Sequence, residues 1–180
     1  MRGLMMDRPL LISSLLEHAA EVFSSVAIVT RTVEGPIHRY TWTGARNRAV
    51  QLAQALQTLK LHDGDAVATI AWNTHRHLEL YYGVSGMGAI IHTVNPRLHP
   101  TQLVYVLNHA QDRALFVDLT FIPLIETIWD KLESVRHLVI MTDKGHMPAC
   151  KIQGALCYED LIAAEDGDYE WPTFPEDTAS

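Results

Sequence analysis

Apolar and polar positions along this chain follow two rhythms, one typical of helices and one typical of strands. Near the amino terminus, apolar side chains recur at helical spacing from Leu11 to Phe23, which predicts a half-buried helix. Two stretches rich in branched side chains, 26–31 and 37–42, flank the turn residues 34–36. This arrangement predicts a β-hairpin.

The period then returns to that of a helix. Apolar residues between Ala45 and Leu59 mark one face of a second predicted helix, and either Thr41 or Thr43 is suited to cap its start. The polar residues that fall largely away from this face are Arg46, Arg48, Gln51, Gln54 and Gln57.

From residue 66 to residue 141, short apolar runs alternate with helical patterns. The run 66–71 is continuously apolar or small, which is typical of a strand covered on both faces. Asn73 is expected to cap the helix that follows, and Pro100 suits the first turn of a later one. The alternation predicts an α/β fold with a mostly parallel sheet. The predicted strands are 66–71, 88–94, 114–118 and 137–141, and the predicted helices include the 78–85, 103–110 and 121–132 stretches.

Charge is distributed unevenly. The net charge is −7, yet residues 1–158 hold fourteen basic against thirteen acidic residues, so the acidity belongs to the carboxyl-terminal part. We expect an α/β unit over 1–164 and an acidic surface linker over 165–180. Because Lys and Arg form no cluster, nucleic acid is an improbable partner.

No apolar run reaches the roughly 18 residues of a membrane span. The first twenty residues contain Asp7, Arg8 and Glu17, which break any secretory apolar stretch. Cys150 and Cys157 suggest neither a disulfide framework nor a zinc site, so we expect a reduced protein located in the cytoplasm.

Gly83, Gly86 and Gly88 have the spacing G-x-x-G-x-G, which is not the dinucleotide-binding order, and they do not follow a strand. We interpret them as a helix end packed closely on the next strand. The chain also lacks a nucleophile elbow and a Walker loop. From the residues alone, therefore, no catalytic set is identified.

The ten histidines do not form a recognisable metal set. His75 and His77 fall on opposite sides of a helix, and His92 and His99 have no carboxylate or cysteine close in sequence. We therefore predict no metal ligands.

Several motifs do resemble a known family. The stretch from Gly64 to Asn73 resembles the G-D-x-V-A…N segment of acyl-adenylate-forming enzymes. The H-T-x-N-P-R-L sequence at 92–98 and the Y-x-L-N-H-A-x-D sequence at 105–112 are similar to medium- and long-chain fatty-acid–CoA ligases. The resemblance runs in order over residues 10–180, and it implies that the sheet is part of the large N-terminal domain of that superfamily.

The resemblance implies a two-step reaction. A fatty acid reacts with ATP to give an acyl-adenylate, and CoA then displaces AMP; ATP, Mg²⁺ and CoA would serve the parent enzyme. The family's Gly-rich phosphate loop and its lysine have no counterpart here. In relatives that loop begins just past an acidic segment resembling 174–180. We therefore expect an inactive N-terminal fragment that binds none of these cofactors tightly.

The resemblance also places the loop Asn95, Pro96 and Arg97 near the face that receives CoA, where Arg97 could meet a CoA phosphate. The alternative is that Asn95 and Pro96 only shape a turn and Arg97 is solvated. Two other functions stay open. The chain could be a truncated paralogue that acts as a dimerisation or interaction module through its N-terminal region, or part of an adenylating enzyme for another carboxylic acid.

Overall fold

A computed structural model describes residues 8–180 of the 180-residue chain. Within these residues, six α-helices and seven strands follow one another. The helices are α1 (Ile12–Val22), α2 (Trp42–Thr58), α3 (His75–Gly86), α4 (Pro100–Ala110), α5 (Ile122–Ile128) and α6 (Tyr158–Ala163). The strands are β1 (Ala27–Arg31), β2 (Ile37–Thr41), β3 (Ala66–Ile70), β4 (Ile90–Thr93), β5 (Ala114–Val117), β6 (His137–Ile140) and β7 (Leu156–Cys157).

The central element is a five-stranded sheet in the order β4-β3-β5-β6-β7, and every neighbouring pair in it is parallel. The short apolar strands fit this position because both faces of the sheet are covered by helices. Strand β5 has all four residues buried, as expected for a strand in the middle of such a sheet. The predicted α/β class with a mostly parallel sheet is confirmed.

Two apolar layers lie on the two faces of the sheet. One layer joins α2, α3 and α6 to the sheet and includes Leu52, Leu80 and Phe116, each fully buried. The other joins α4 and α5 to the sheet and includes Leu103 and Leu115, also fully buried. Side chains of successive residues in β5 enter opposite layers, which is the period of two that a strand imposes.

The amino-terminal predictions are confirmed. Helix α1 buries Leu16 completely and packs against α2 and α3. Strands β1 and β2 form a separate antiparallel hairpin, with Ala27 opposite Thr41. Thr41, one of the two expected caps, accepts a hydrogen bond from the Gly44 amide at 3.3 Å and is the N-cap of α2.

Two local predictions are wrong, and two short elements were not predicted. The cap of α3 is Thr74 rather than Asn73, and the Thr74 side chain makes no capping hydrogen bond. The helix expected over 121–132 is α-helical only over α5, because short 3₁₀ turns at 119–121 and 129–131 replace its ends. β7 and α6 had no clear pattern, since a two-residue strand and a six-residue helix are too short to show a period.

The glycine interpretation is partly corrected. Gly83 and Gly86 lie in α3, and Gly88 follows it with φ +87°, so they do mark a helix end. Their close contacts are not with the next strand, however. A Cβ on Gly83 would stand 2.8 Å from Leu52 Cδ2 of α2, and one on Gly86 would stand 2.5 Å from the Trp171 ring. The absence of side chains at Gly83 and Gly86 therefore lets α2 and Trp171 pack closely against α3.

Residues 165–180 contain no helix or strand, although Tyr169 and Trp171 pack against the layer that contains α2. The division into a 1–164 unit and a linker stays a prediction, and residues 1–7 of that unit lie outside the described residues. Within 8–180, no helix is long and apolar enough to cross a membrane.

Candidate functional site

The order of the strands singles out one edge of the sheet. The chain passes from β3 to its neighbour β4 on one side, and then returns past β3 to β5 on the other side. Where successive connections diverge in this way, a crevice forms outside the carboxyl ends of the strands, and α/β proteins bind ligands there. The carboxyl edge, meaning the loops 71–74, 94–99 and 118–121, is therefore the candidate site.

Asp118 is the central group at this edge. It follows β5 directly, and its Oδ2 accepts a hydrogen bond from the Trp72 amide, the second residue after β3, at 2.6 Å. The residue is completely buried, and its other oxygen, Oδ1, has no hydrogen-bond partner. One carboxylate thus joins the ends of two strands and keeps an unused acceptor between them.

The burial of Asp118 has an electrostatic consequence. Burial raises the pKa of this carboxyl to about 6, although the hydrogen bond from the Trp72 amide and the charge of Arg76 act in the opposite direction. Buried carboxyl groups with raised pKa values occur frequently at functional sites. The raised pKa and the unpartnered Oδ1 together mark Asp118 as a candidate functional group.

Trp72 provides a flat apolar surface at the same edge. Its indole Nε1 donates a hydrogen bond to Thr120 Oγ1 at 2.9 Å, and its ring lies 5.2 Å from that of Phe121. The side chain nevertheless remains 46% exposed. An indole that is fixed at one end and open on its face can stack on a planar or apolar group.

The loop predicted to face CoA also lies at this edge, directly after β4 and Val94. Asn95 Oδ1 accepts a hydrogen bond from the Arg97 amide at 2.9 Å, so Asn95 does shape the turn. Asn95 and Arg97 are exposed and Pro96 is half-buried. The structure thus brings this loop to the same edge as Trp72 and Asp118, while a ligand role for the loop stays a prediction.

The histidines that stood out in the sequence are placed as follows. His77 is buried, with its Nε2 3.1 Å from Thr69 Oγ1, and His75 stacks on His38 at a ring distance of 3.9 Å. His92 Nδ1 lies 2.8 Å from Asp112 Oδ2, so the fold supplies a carboxylate that was not visible nearby in sequence. Across residues 8–180, no three His, Cys, Asp or Glu side chains are placed to hold a metal ion.

A network of charged side chains lies beneath the hairpin. Arg48 of α2 donates two hydrogen bonds to Glu79, at 2.8 and 3.1 Å, and two to Glu159, at 2.9 and 3.0 Å. Arg76 of α3 donates to Glu159 and to Glu34, both at 2.8 Å. The network thereby connects the hairpin turn, α2, α3 and α6.

Neighbouring hydrogen-bond donors and arginines together lower the pKa values of these acids. Burial alone would raise the pKa of Glu159, yet the neighbouring His75, Arg48 and Arg76 hold it far below its usual range. Burial opposes ionisation of Glu34 as well, but hydrogen bonds from Thr142 and Arg76 keep its pKa lowered. A cavity of about 470 Å³ borders the network and is lined in part by His38, His75 and His146.

Sequence reasoning missed both Asp118 and the charged network. A weak signal for Asp118 was available, since it ends a buried apolar run at the carboxyl edge of the predicted sheet. Arg48 was assigned to the polar side of its helix, because no sequence pattern shows that Glu79 and Glu159 reach it from other elements.

Comparison with known proteins adds a second line of observation. The family model described as "AMP-binding enzyme" matches residues 16–178. The chain is 47% identical over 180 residues to the 3-methylmercaptopropionyl-CoA ligase of Ruegeria lacuscaerulensis, and covers 33% of that protein. It is 42% identical over 180 residues to the medium-chain-fatty-acid–CoA ligase of Ectopseudomonas oleovorans, again covering 33%. The chain therefore spans about a third of the length of these relatives.

The fold has close counterparts among solved structures. The anthranilate CoA ligase AuaEII, crystallised in complex with anthranoyl-AMP, superposes with a TM-score of 0.84. The match covers 99% of this chain and 32% of that one, at 23% sequence identity. At this identity the likeness concerns the fold alone.

Proposed function

Since the chain belongs to the AMP-binding enzyme family, we propose that it forms the amino-terminal part of an AMP-forming acyl-CoA ligase. In the proposed reaction, a carboxylate oxygen bonds to the α-phosphorus of ATP and pyrophosphate leaves. The sulfur of CoA then bonds to the acyl carbon, AMP leaves, and the thiol proton is released. The observation that carries the proposal is the match of all 180 residues, at 47% and 42% identity, to about a third of two acyl-CoA ligases.

The proposed substrate is a fatty acid of medium or long chain length. The family resemblance of the 92–98 and 105–112 motifs supports this choice, and so does the medium-chain relative. The Ruegeria relative, by its name, acts on a short sulfur-containing acid, so another carboxylic acid is the alternative. A substrate panel of 3-methylmercaptopropionate, octanoate and palmitate separates these options.

ATP, Mg²⁺ and CoA are the proposed cofactors and co-substrates of the whole protein, and the cytoplasm its proposed location. The 180 residues contain no Gly-rich loop with a lysine that could neutralise the phosphates of ATP. The described residues also lack a donor set for a metal ion, and we assign no Mg²⁺ ligand to them. We propose that this chain by itself is inactive and binds none of these molecules tightly.

Within this function, Asn95, Pro96 and Arg97 are proposed to face CoA. The position of the loop at the carboxyl edge supports this role, because the edge is where a ligand of an α/β sheet is expected. The exposure of Arg97 leaves its guanidinium available to a phosphate of CoA. Asn95 would act by holding the turn through its bond to the Arg97 amide.

The test is a chimera in which this chain replaces the matching third of the Ruegeria ligase. We expect acid-dependent ATP–pyrophosphate exchange and thioester formation from the chimera, and neither activity from the chain alone. A folded chimera without exchange would contradict the ligase proposal, and exchange by the chain alone would contradict the proposed inactivity.

Arg97→Ala in the chimera tests the CoA-facing loop. The Michaelis constant for CoA should rise about tenfold, as expected for the loss of one charge-assisted phosphate contact, while pyrophosphate exchange is retained. Arg39→Ala, at an exposed arginine of β2, is the matched control. Equal effects of the two substitutions would leave Arg97 without a role in CoA binding.

The second candidate function is an interaction module that forms a homodimer through the N-terminal region. The observation that favours it is the row of exposed apolar side chains Leu15, Val22 and Phe23 on and after α1. Sedimentation of the chain with and without Phe23→Ser tests this module. A monomer at concentrations of about 100 μM, where weak specific dimers form, would contradict it.

A further inference from the structure

Residues 165–178, called the strap from here on, lie along the polar face of α2. Gln51 Nε2 donates a hydrogen bond to the Glu165 carbonyl at 2.9 Å, and Thr58 Oγ1 donates to Glu165 Oε1 at 3.0 Å. Gln54 contacts the strap twice, donating to Asp166 Oδ1 and accepting from the Gly167 amide, each at 2.9 Å. The polar face of α2 is thus occupied by another part of the chain.

Trp171 makes the most specific contact of the strap. Its ring occupies the space that a side chain at Gly86 would need, since a Cβ there would stand 2.5 Å from ring atom Cζ3. The indole Nε1 donates a hydrogen bond to Glu17 Oε1 at 2.7 Å, and Arg46 Nε donates to the same oxygen at 2.9 Å. The indole therefore packs against α3 and bonds to Glu17 of α1, which is in turn bonded to Arg46 of α2.

Beyond Trp171, the strap covers a cavity of about 510 Å³ whose body wall includes Leu61 and Met87. Phe174 lies against Gly88, where a Cβ would stand 3.4 Å from its ring, and Glu176 Oε2 accepts a hydrogen bond from the Leu10 amide at 3.0 Å. The outer wall of the cavity is formed by the strap itself, with Tyr169 and Phe174 among its residues.

The strap has little structure of its own. It contains no helix or strand, and the backbone hydrogen bonds within it run from the Tyr169 amide to Gly167 and from the Thr178 amide to Pro175. Within residues 8–180, no basic side chain forms an ion pair with a strap carboxylate. Its order must therefore come from contacts with the rest of the chain, which include the packing of the half-buried Tyr169 and Trp171 rings against the layer that contains α2.

We propose that the strap opens and closes as one unit over this cavity. In the closed state it is held by Trp171, whose ring packs against Gly86. Opening would break the Glu17 and Gln54 hydrogen bonds together and expose Leu61 and Met87. The proposal goes beyond the ligase function, and its test uses no substrate, so the two can fail separately.

The test is amide hydrogen exchange of the intact chain and of Trp171→Ala, Gly86→Ala and Asp168→Asn. Trp171→Ala should speed exchange at Gly167, Tyr169 and Thr178 together by at least about tenfold, as expected for a locally opening unit. Exchange in the buried strand β5 should stay unchanged. Asp168→Asn is the control, because its charge lies in the strap but its side chain makes no hydrogen bond within residues 8–180.

Gly86→Ala tests the same contact while Trp171 keeps its side chain. Alanine favours helices over glycine by about 1 kcal/mol, so helix propensity alone predicts slower exchange in α3. The added methyl group should instead displace Trp171 and speed exchange in the strap. Exchange that rises only next to residue 171, or a strap unaffected by either substitution, would overturn the proposal. Trp171→Phe, which keeps a ring but loses the bond to Glu17, should give an intermediate rate.

Discussion

Two sets of wholly or partly buried carboxyl groups in this molecule have pKa values shifted in opposite directions. Glu34 and Glu159 lie among arginines beneath the hairpin, and their pKa values are lowered. Asp112 and Asp118 lie beside the sheet without a bonded arginine, and burial raises their pKa values to about 6. The difference shows that burial alone does not decide the pKa of these groups; hydrogen bonds from His75 and Thr142 and the neighbouring arginines lower it in the first set.

The two sets also differ in what they contribute. In the arginine set, each carboxylate joins elements that are far apart in sequence, as Glu159 joins α6 to α2 and α3. In the other set, Asp112 and Asp118 each retain a buried oxygen without a partner, as Glu34 does with Oε2 in the first set. The two sets therefore differ in their bonded partners, which are arginines only in the first set, and Asp118 keeps its free oxygen where the sheet topology expects a ligand.

The largest effect is expected from removing an arginine of the first set. Arg48→Met should lower the free energy of unfolding by about 3–5 kcal/mol, because it leaves the fully buried Glu79 without its charge partner. Chemical denaturation at pH 7 measures this loss. The control is Arg113→Met, whose ion pair with Asp65 is more exposed and longer, at 3.6 Å, so about 1 kcal/mol or less is expected. Equal losses of stability in both variants would contradict the role of Arg48 as the charge partner of Glu79.

The same contrast shows what the sequence could predict. The repeated strands and helices between 66 and 141 were predictable, because a covered strand and an amphipathic helix each impose a period on several successive residues. The motif at 92–98 located the loop that reaches the carboxyl edge. The contacts of Arg48 and Asp118 were not predicted, because their hydrogen-bond partners lie 31 to 111 residues away in sequence. A pairing between distant elements leaves no local pattern.

Glu34→Gln tests the pH dependence of the arginine set. The folded pKa of Glu34 is lowered, so its ionised form stabilises the fold above the unfolded value of 4.5, and this stabilisation is lost as the pH falls through the folded pKa. At pH 7 the variant should be about 2 kcal/mol less stable, the cost expected when a buried charged hydrogen bond becomes neutral. Denaturation between pH 3 and pH 7 should show this difference shrinking towards the acidic end. A difference that stays constant would point to altered packing instead.

Asp118→Asn should have the opposite sign. The folded pKa of about 6 lies above the unfolded value of 3.8, so the wild-type carboxyl loses stability as the pH rises from about 4 to about 6. The amide cannot ionise, yet it can still accept the hydrogen bond from Trp72. At pH 7 the variant should therefore be about 1–2 kcal/mol more stable, with equal stabilities near pH 4. Lower stability of the variant throughout this pH range would show that the Asp118 carboxyl stabilises the fold, as the carboxylates bonded to arginines do.

The smallest net effect is expected at Asp112, where two contributions oppose each other. Asp112→Asn removes the cost of a buried carboxylate and at the same time weakens the contact with His92, so the stability at pH 7 should change by less than about 1 kcal/mol. A double-mutant cycle with His92→Gln separates the contributions, and a coupling of about 1 kcal/mol is expected for side chains in direct contact. A coupling free energy as large as the loss caused by Arg48→Met would show that Asp112, like the acids bonded to arginines, stabilises the fold through a charged contact. Negligible coupling would mean that His92 does not stabilise the Asp112 carboxylate as Arg76 stabilises that of Glu34.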